Sequence, residues 1–205
     1  AVRSTTRTFN RFHLMTVEET VQNDNVLRSE TVYHLQPGIE FENQPAYCQL
    51  PHIATQIWYS KSNPMDKRPE PVTTTYDDWG NLLTQVNANE VTETCEWYEV
   101  AGEVDEHGDV LCPPDPQQFK RNLKRKTVTP AASDYGQAPV LQTRYRYTEQ
   151  RGLTGVSNSR WLALSEELLL QDGNAAAPLQ HSAFSYIDEP DTPFKHGRKL
   201  QDAVT

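Results

Sequence analysis

The chain has 205 residues, with 19 Lys and Arg against 28 Asp and Glu, a formal net charge of -9 at pH 7. That excess of acid excludes a general nucleic-acid binder, which must neutralise phosphates with Lys and Arg. A mean hydropathy of -0.73 and 36% hydrophobic residues are low for a compact globule, but nine Tyr, six Phe and four Trp argue against disorder and for sheets with one wet face.

Residues from Arg3 to Tyr33 alternate as strands do, and Gln22-Asn23-Asp24-Asn25 is a turn signal between the β-prone runs Thr16–Val21 and Val26–Tyr33. Gln36-Pro37-Gly38 ends that unit, and the stretch to Pro51 reads as loop. A strand is expected from His52 to Ser60. Ser62-Asn63-Pro64 and Arg68-Pro69-Glu70-Pro71 then read as a proline-punctuated link that discourages wrong pairing.

The next stretch, Val72 to Val86, is the clearest hairpin. Two Thr- and Leu-containing arms flank Asp77-Asp78-Trp79-Gly80, where Gly80 supplies a positive φ and Asp77 or Asp78 accepts hydrogen bonds from the turn backbone. Val91 to Val100 reads as another strand, Gly102 to Pro116 as a long acidic, proline-rich loop, and Phe119 to Val128 as a return to alternation. Leu141 to Tyr147, ending at a Gly- and Ser-rich turn from Gly152 to Ser159, is expected to be a further repeat hairpin arm with Tyr145 and Tyr147 on one face. A sugar ring can stack there, but packing against the next hairpin is the expectation. Trp161 to Leu170 carries Leu, Ala and Glu that favour helix; its hairpin neighbours and the closing Asp172-Gly173 favour a strand, which is the expectation.

The chemistry of known sites is sparse. There is no Gly-x-Ser-x-Gly, no His-Glu-x-x-His and no phosphate loop, so no catalytic or cofactor-binding residue is assigned. Glu103, Asp105, Glu106, His107 and Asp109 do not follow EF-hand order and read as a solvated acidic loop, so no metal is assigned either. Cys95 and Cys112 flank a loop that a disulfide would close, yet three cysteines with no close pair favour free, buried thiols. The basic run Lys120 to Lys126 is expected to be a charged strand meeting acidic neighbours rather than a nucleic-acid patch.

Tyr76-Asp77-Asp78-Trp79-Gly80-Asn81-Leu82 resembles the tyrosine-aspartate (YD, or RHS) repeat: Tyr-Asp, two variable residues, Gly, Arg or Asn, then Leu. Tyr186 and Asp188 are similar to its first half, and Gly197, Arg198 and Leu200 to its second. The segment with Trp97-Tyr98, Gly102-Glu103, Cys112-Pro113-Pro114-Asp115-Pro116, Phe119-Lys120-Arg121 and Thr127-Val128-Thr129-Pro130 resembles one in the RHS-containing B and C components of bacterial insecticidal toxin complexes. The resemblance covers the chain from about Thr73 onward. It implies an all-β array of stacked antiparallel β-hairpins forming part of a hollow β-shell. In that family the shell encloses a toxic effector and releases it after docking to a pore-forming translocation component. The family's self-cleaving aspartyl protease lies in a later part of the array and has no counterpart here.

On this reading residues 1–71 are degenerate hairpin repeats and a link, and residues 72–205 are repeat hairpins with the acidic loop 102–116. The chain is expected to be a non-enzymatic wall segment of a larger secreted toxin. Its partners would be the rest of the array and the enclosed effector, with no nucleic acid and no direct membrane insertion. No apolar run reaches the length of a membrane span, and no signal peptide opens the chain, which reads as an excerpt of a longer protein. A carbohydrate-binding or adhesive repeat module is the alternative, and an enzyme comes third.

Overall fold

A computed structural model describes Val2 through Thr205, and it is all-β, built of antiparallel hairpins with no α-helix among the described residues. The chain forms two compact units, one ending at Glu93 and one beginning at Thr94.

In the first unit β1 (Arg3–Phe9), β2 (Met15–Gln22), β3 (Asn25–Tyr33), β4 (Pro51–Ser60), β5 (Asn63–Tyr76) and β6 (Leu82–Val86) pair in sequence order. The loop between β3 and β4 has one 3-10 turn, Phe41–Asn43. In the second unit β7 (Thr92–Trp97) begins two residues before the division. β8 (Glu103–Val104) and β9 (Val110–Cys112) follow, then β10 (Leu123–Thr129), β11 (Leu141–Gln150), β12 (Trp161–Gln171), β13 (Gln180–Tyr186) and β14 (Lys199–Val204). The strand order there is β7-β10-β11-β12-β13-β14, with β8 and β9 paired apart.

The expected hairpins form, including β5–β6, and Trp161–Gln171 is a strand rather than a helix. Its Leu-rich sequence is overridden by pairing on both sides, with β11 and β13.

Three expectations need correction. The proline-punctuated stretch is not a link but the first half of β5, a 14-residue strand. Pro69 and Pro71 pair opposite Ile57 and Thr55 on β4, while β6 covers only Thr73 to Tyr76. The prolines therefore stand where β5 has one neighbour, and a missing N–H on the free side costs nothing. The acidic loop 102–116 is likewise not featureless, since β8 and β9 form a small hairpin within it. Finally, alternation does not begin at Phe119. The strand starts at Leu123, because residues 115–121 are wrapped around the Asp115 carboxylate.

Few side chains are fully covered. Val26, Cys48 and Thr74 are buried in the first unit, and Tyr98, Cys112, Asp115, Ala163 and Leu170 in the second. Polar cross-strand pairs make up much of the remaining surface. Arg7 lies opposite Glu18 with a 2.6 Å ion pair, and Arg28 opposite Glu19 at 3.1 Å. The basic run meets acid as expected: Lys120 binds Glu99 at 2.8 Å, Arg121 binds Asp115 at 2.9 Å, Lys124 binds Glu103 at 2.6 Å, and Arg125 binds Glu96. The cysteines are free thiols.

Candidate functional site

The repeat residues Tyr76 to Leu82 form one local device, a five-residue turn followed by a bulge. Asp77 opens it. Its Oδ1 accepts the amides of Trp79 (3.0 Å) and Asn81 (2.9 Å), and its carbonyl accepts the Gly80 amide at 2.9 Å. The Asp77 amide donates back to the Asn81 carbonyl at 3.0 Å, closing the turn. Asn81 Nδ2 reaches Asp77 Oδ2 at 3.2 Å. Gly80 sits at φ +82°, the left-handed region an L side chain resists. Past the turn, Tyr76 pairs with Leu82 but Thr75 pairs with Thr84, so Leu83 is an extra residue. Such a bulge sharpens the local twist and re-aims the side chains beyond it.

The same device recurs where the sequence reading did not find it. Asn10 accepts the amides of Phe12 and Leu14 on Oδ1, His13 takes the positive φ of 60°, and Thr16 is the extra residue after the turn. Asp105 accepts His107 and Asp109 amides at 2.9 Å each, Gly108 takes φ +85°, and Leu111 is extra. Asp105 thus serves its own turn, and its carboxyl is held below the usual carboxylate range chiefly by the Asp109 amide. The signal was legible: an apolar residue, Asp or Asn, two variable residues, a residue tolerating positive φ, one more, then an apolar residue. Asn87 to Val91 shares the backbone pattern, with Glu90 at φ 64°.

The distal repeat residues use a longer loop for the same end. Tyr186 pairs with Lys199 and Ser185 with Gln201, leaving Leu200 as the extra residue, itself exposed. Ile187 donates to the Arg198 carbonyl and Gly197 to the Ile187 carbonyl, both at 2.9 Å. Asp188 binds Arg151 through both oxygens, and this hydrogen-bonded pair keeps the Asp188 carboxyl low. Arg198 lies 4.2 Å over the Phe194 ring. Gly197, at φ +76°, faces Trp161 so closely that a Cβ would stand 2.5 Å from Cζ2. His196 packs edge-on to the same indole, donating from Nε2 to the Arg151 carbonyl (2.7 Å) and accepting the Glu189 amide on Nδ1 (3.1 Å). The Tyr186 hydroxyl donates to the Leu164 carbonyl at 2.7 Å.

Tyr145 and Tyr147 belong to neither turn. Tyr98 links them, donating its hydroxyl to the Tyr145 carbonyl at 2.8 Å and standing at right angles to the Tyr147 ring, centroids 6.1 Å apart. Burial pushes the phenols of Tyr98, Tyr145 and Tyr147 upward. Beside them the Cys112 thiol is pushed up to about 12 by burial, then by Asp115 and Glu103, so it stays protonated and is no nucleophile. Asp115 organises the segment that the sequence singled out. Its carboxylate accepts the Gln117 and Phe119 amides and Arg121 Nε, at 2.9, 3.2 and 2.9 Å. Burial pushes this carboxyl up, but the two amides and the guanidinium outweigh it and hold it low.

Chemically these arrangements fix backbone; they hold no nucleophile next to a base. No protein-family model matches the chain, and no curated protein matches it.

Proposed function

We propose that this chain is a wall segment of an RHS-type repeat container that encloses a toxin effector and helps deliver it. One observation carries the reading: the same turn-plus-bulge, opened by Asn10, Asp77 or Asp105, closes three separate hairpins, β1–β2, β5–β6 and β8–β9. A lone hairpin cannot bury its face, so repetition of one such unit is the mark of an array in which each hairpin leans on its neighbours. The thin cores and ion-paired faces suit a wall wetted by solvent. Its partners are the remaining array, the enclosed effector and a pore-forming translocation component, and the whole is secreted as part of a larger toxin. No catalytic role falls to these residues.

The outer strands supply the test. Among the described residues β1 pairs only with β2, and β14 only with β13, so each leaves a row of unpaired backbone groups. In an array the next hairpin covers them. Sedimentation of the chain at several concentrations should therefore show association through those edges. A parent protein should also shield its C-terminal effector from added protease until this segment is deleted. A concentration-independent monomer with a cooperative, high-temperature transition, or an effector equally digested with and without the segment, refutes the reading.

A further inference from the structure

The face of β4 and β5 carries a groove that the turn-and-bulge device does not use. Register places Trp58 opposite Arg68 and Gln56 opposite Glu70, so these four side chains share one face of the sheet. The turn after β6, with Asn87 and Asn89, forms the adjoining wall, and the open concavity has a volume of about 790 Å³. That is within the size range of small-molecule sites, about 300–1,000 Å³.

Trp58 is 38% exposed, a large apolar surface left in water amid polar groups. It makes no aromatic stack with a neighbour among the described residues, and its indole N–H meets no acceptor there. The two asparagines are donors in waiting. Asn87 Oδ1 accepts Gln85 Nε2 at 2.9 Å and Asn89 Oδ1 accepts the Val91 amide at 3.2 Å, so each side-chain oxygen is engaged while its NH2 has no acceptor among the described residues. Arg68 is bound to Glu70 at 2.6 Å, so the one cation lining the groove is already paired. Pro69 and Pro71 stiffen the strand beneath, so the groove exists before any ligand arrives.

From this we infer that the Trp58 groove is a binding site for a neutral oligosaccharide. The faces of a pyranose ring present C–H groups that pack on an indole, while its hydroxyls both donate and accept. Trp58 supplies the platform, Asn87 and Asn89 the donors, and Glu70 and Gln56 the acceptors. An acidic sugar is disfavoured because Arg68 would have to abandon Glu70. The inference is independent of the wall reading, since it rests on side chains of β4, β5 and one turn alone.

The test uses the whole chain and immobilised maltotetraose, cellotetraose, chitotetraose and mannotetraose, with sialylated and sulfated glycans for contrast. At least one neutral tetraose is expected to bind and to perturb tryptophan fluorescence. Trp58→Ala should weaken that binding roughly tenfold or more, as loss of a central aromatic anchor does, and Trp58→Tyr should retain part of it. Asn87→Ala and Asn89→Ala should each weaken it roughly two- to tenfold. These two, on turn positions outside the strands, keep the test decisive if Trp58→Ala does not fold. Absence of binding to every neutral tetraose overturns the inference. So does capture confined to acidic glycans, or wild-type affinity in folded Trp58→Ala or in both asparagine variants.

Discussion

Replacing Gly80 by valine isolates the backbone cost of the repeat turn. An added Cβ at Gly80 would meet only Leu50 Cδ1, at 3.7 Å, an ordinary van der Waals contact. Space is therefore not the obstacle; φ of +82° is. Holding a β-branched residue in that region costs roughly 1–3 kcal/mol. With urea slopes of about 1–3 kcal/mol per molar, the unfolding midpoint of the first unit should fall by on the order of 1 M. Gly80→Asn should cost less, because Asn tolerates the left-handed region. Asp77→Ala, which removes the acceptor of two turn amides, should cost about 0.5–2 kcal/mol. Combined with Gly80→Val it should cost less than the sum, since both act on one turn. The reciprocal change is Glu90→Gly, at φ 64° in the equivalent position. Relief of about 1–2 kcal/mol of left-handed strain outweighs a chain-entropy cost of about 0.5–1 kcal/mol, so this variant should be slightly more stable. Urea denaturation followed by circular dichroism reads all five variants. A Gly80→Val midpoint equal to wild type would refute the reasoning, because the turn would then demand nothing of its fourth residue.

Gly197→Ala adds a collision with Trp161 to the same backbone strain, so it should destabilise the second unit more than Gly80→Ala does the first, with a red-shifted tryptophan emission. Asp115 has its folded carboxyl held low, so the stability it contributes is present above its unfolded value, about 3.9, and is lost as pH falls through the folded value. Acid titration of Asp115→Asn should accordingly show a lower stability at neutral pH and a shallower loss below about pH 5. The Cys112 thiol should resist alkylation at pH 8 in the folded protein and react once urea unfolds the second unit; prompt labelling of Cys112, read by peptide mass spectrometry, would contradict its burial.

The legible part of this fold was the part written in neighbouring residues. The β5–β6 hairpin followed from Asp77 and Gly80, because an Asx acceptor and a positive-φ residue act within five positions of each other. The strand at Trp161 followed from its surroundings rather than its propensity. Prolines at 64, 69 and 71 signal a break only if the strand has two neighbours, and β5 has one over that stretch, a fact about β6 that the local sequence does not carry. Within the acidic loop, Asp105 and Gly108 hold the turn while the neighbouring Glu103, Glu106 and Asp109 make the run read as solvated charge. Phe119 and Arg121 looked like alternation, yet their partner is Asp115 upstream, and a buried carboxylate gathering amides leaves no periodic trace. The Trp58 groove was illegible for another reason: it is assembled from β4, β5 and a turn after β6, and its register is fixed only by pairing.

In the first unit every strand from β2 to β6 pairs with the strand that precedes it in the chain. Almost all pairing is therefore short in contour length, and the loop-closure penalty of each step is small. Such a unit can assemble in order of synthesis, each new strand adding to a finished edge without waiting for distant residues. The reverse holds under tension. Pulled from one end, a sheet of this topology peels one strand at a time, each step breaking a single ladder in zipper fashion rather than shearing the whole sheet at once. A sheet that peels in this way is expected to resist force weakly even where its chemical stability is high.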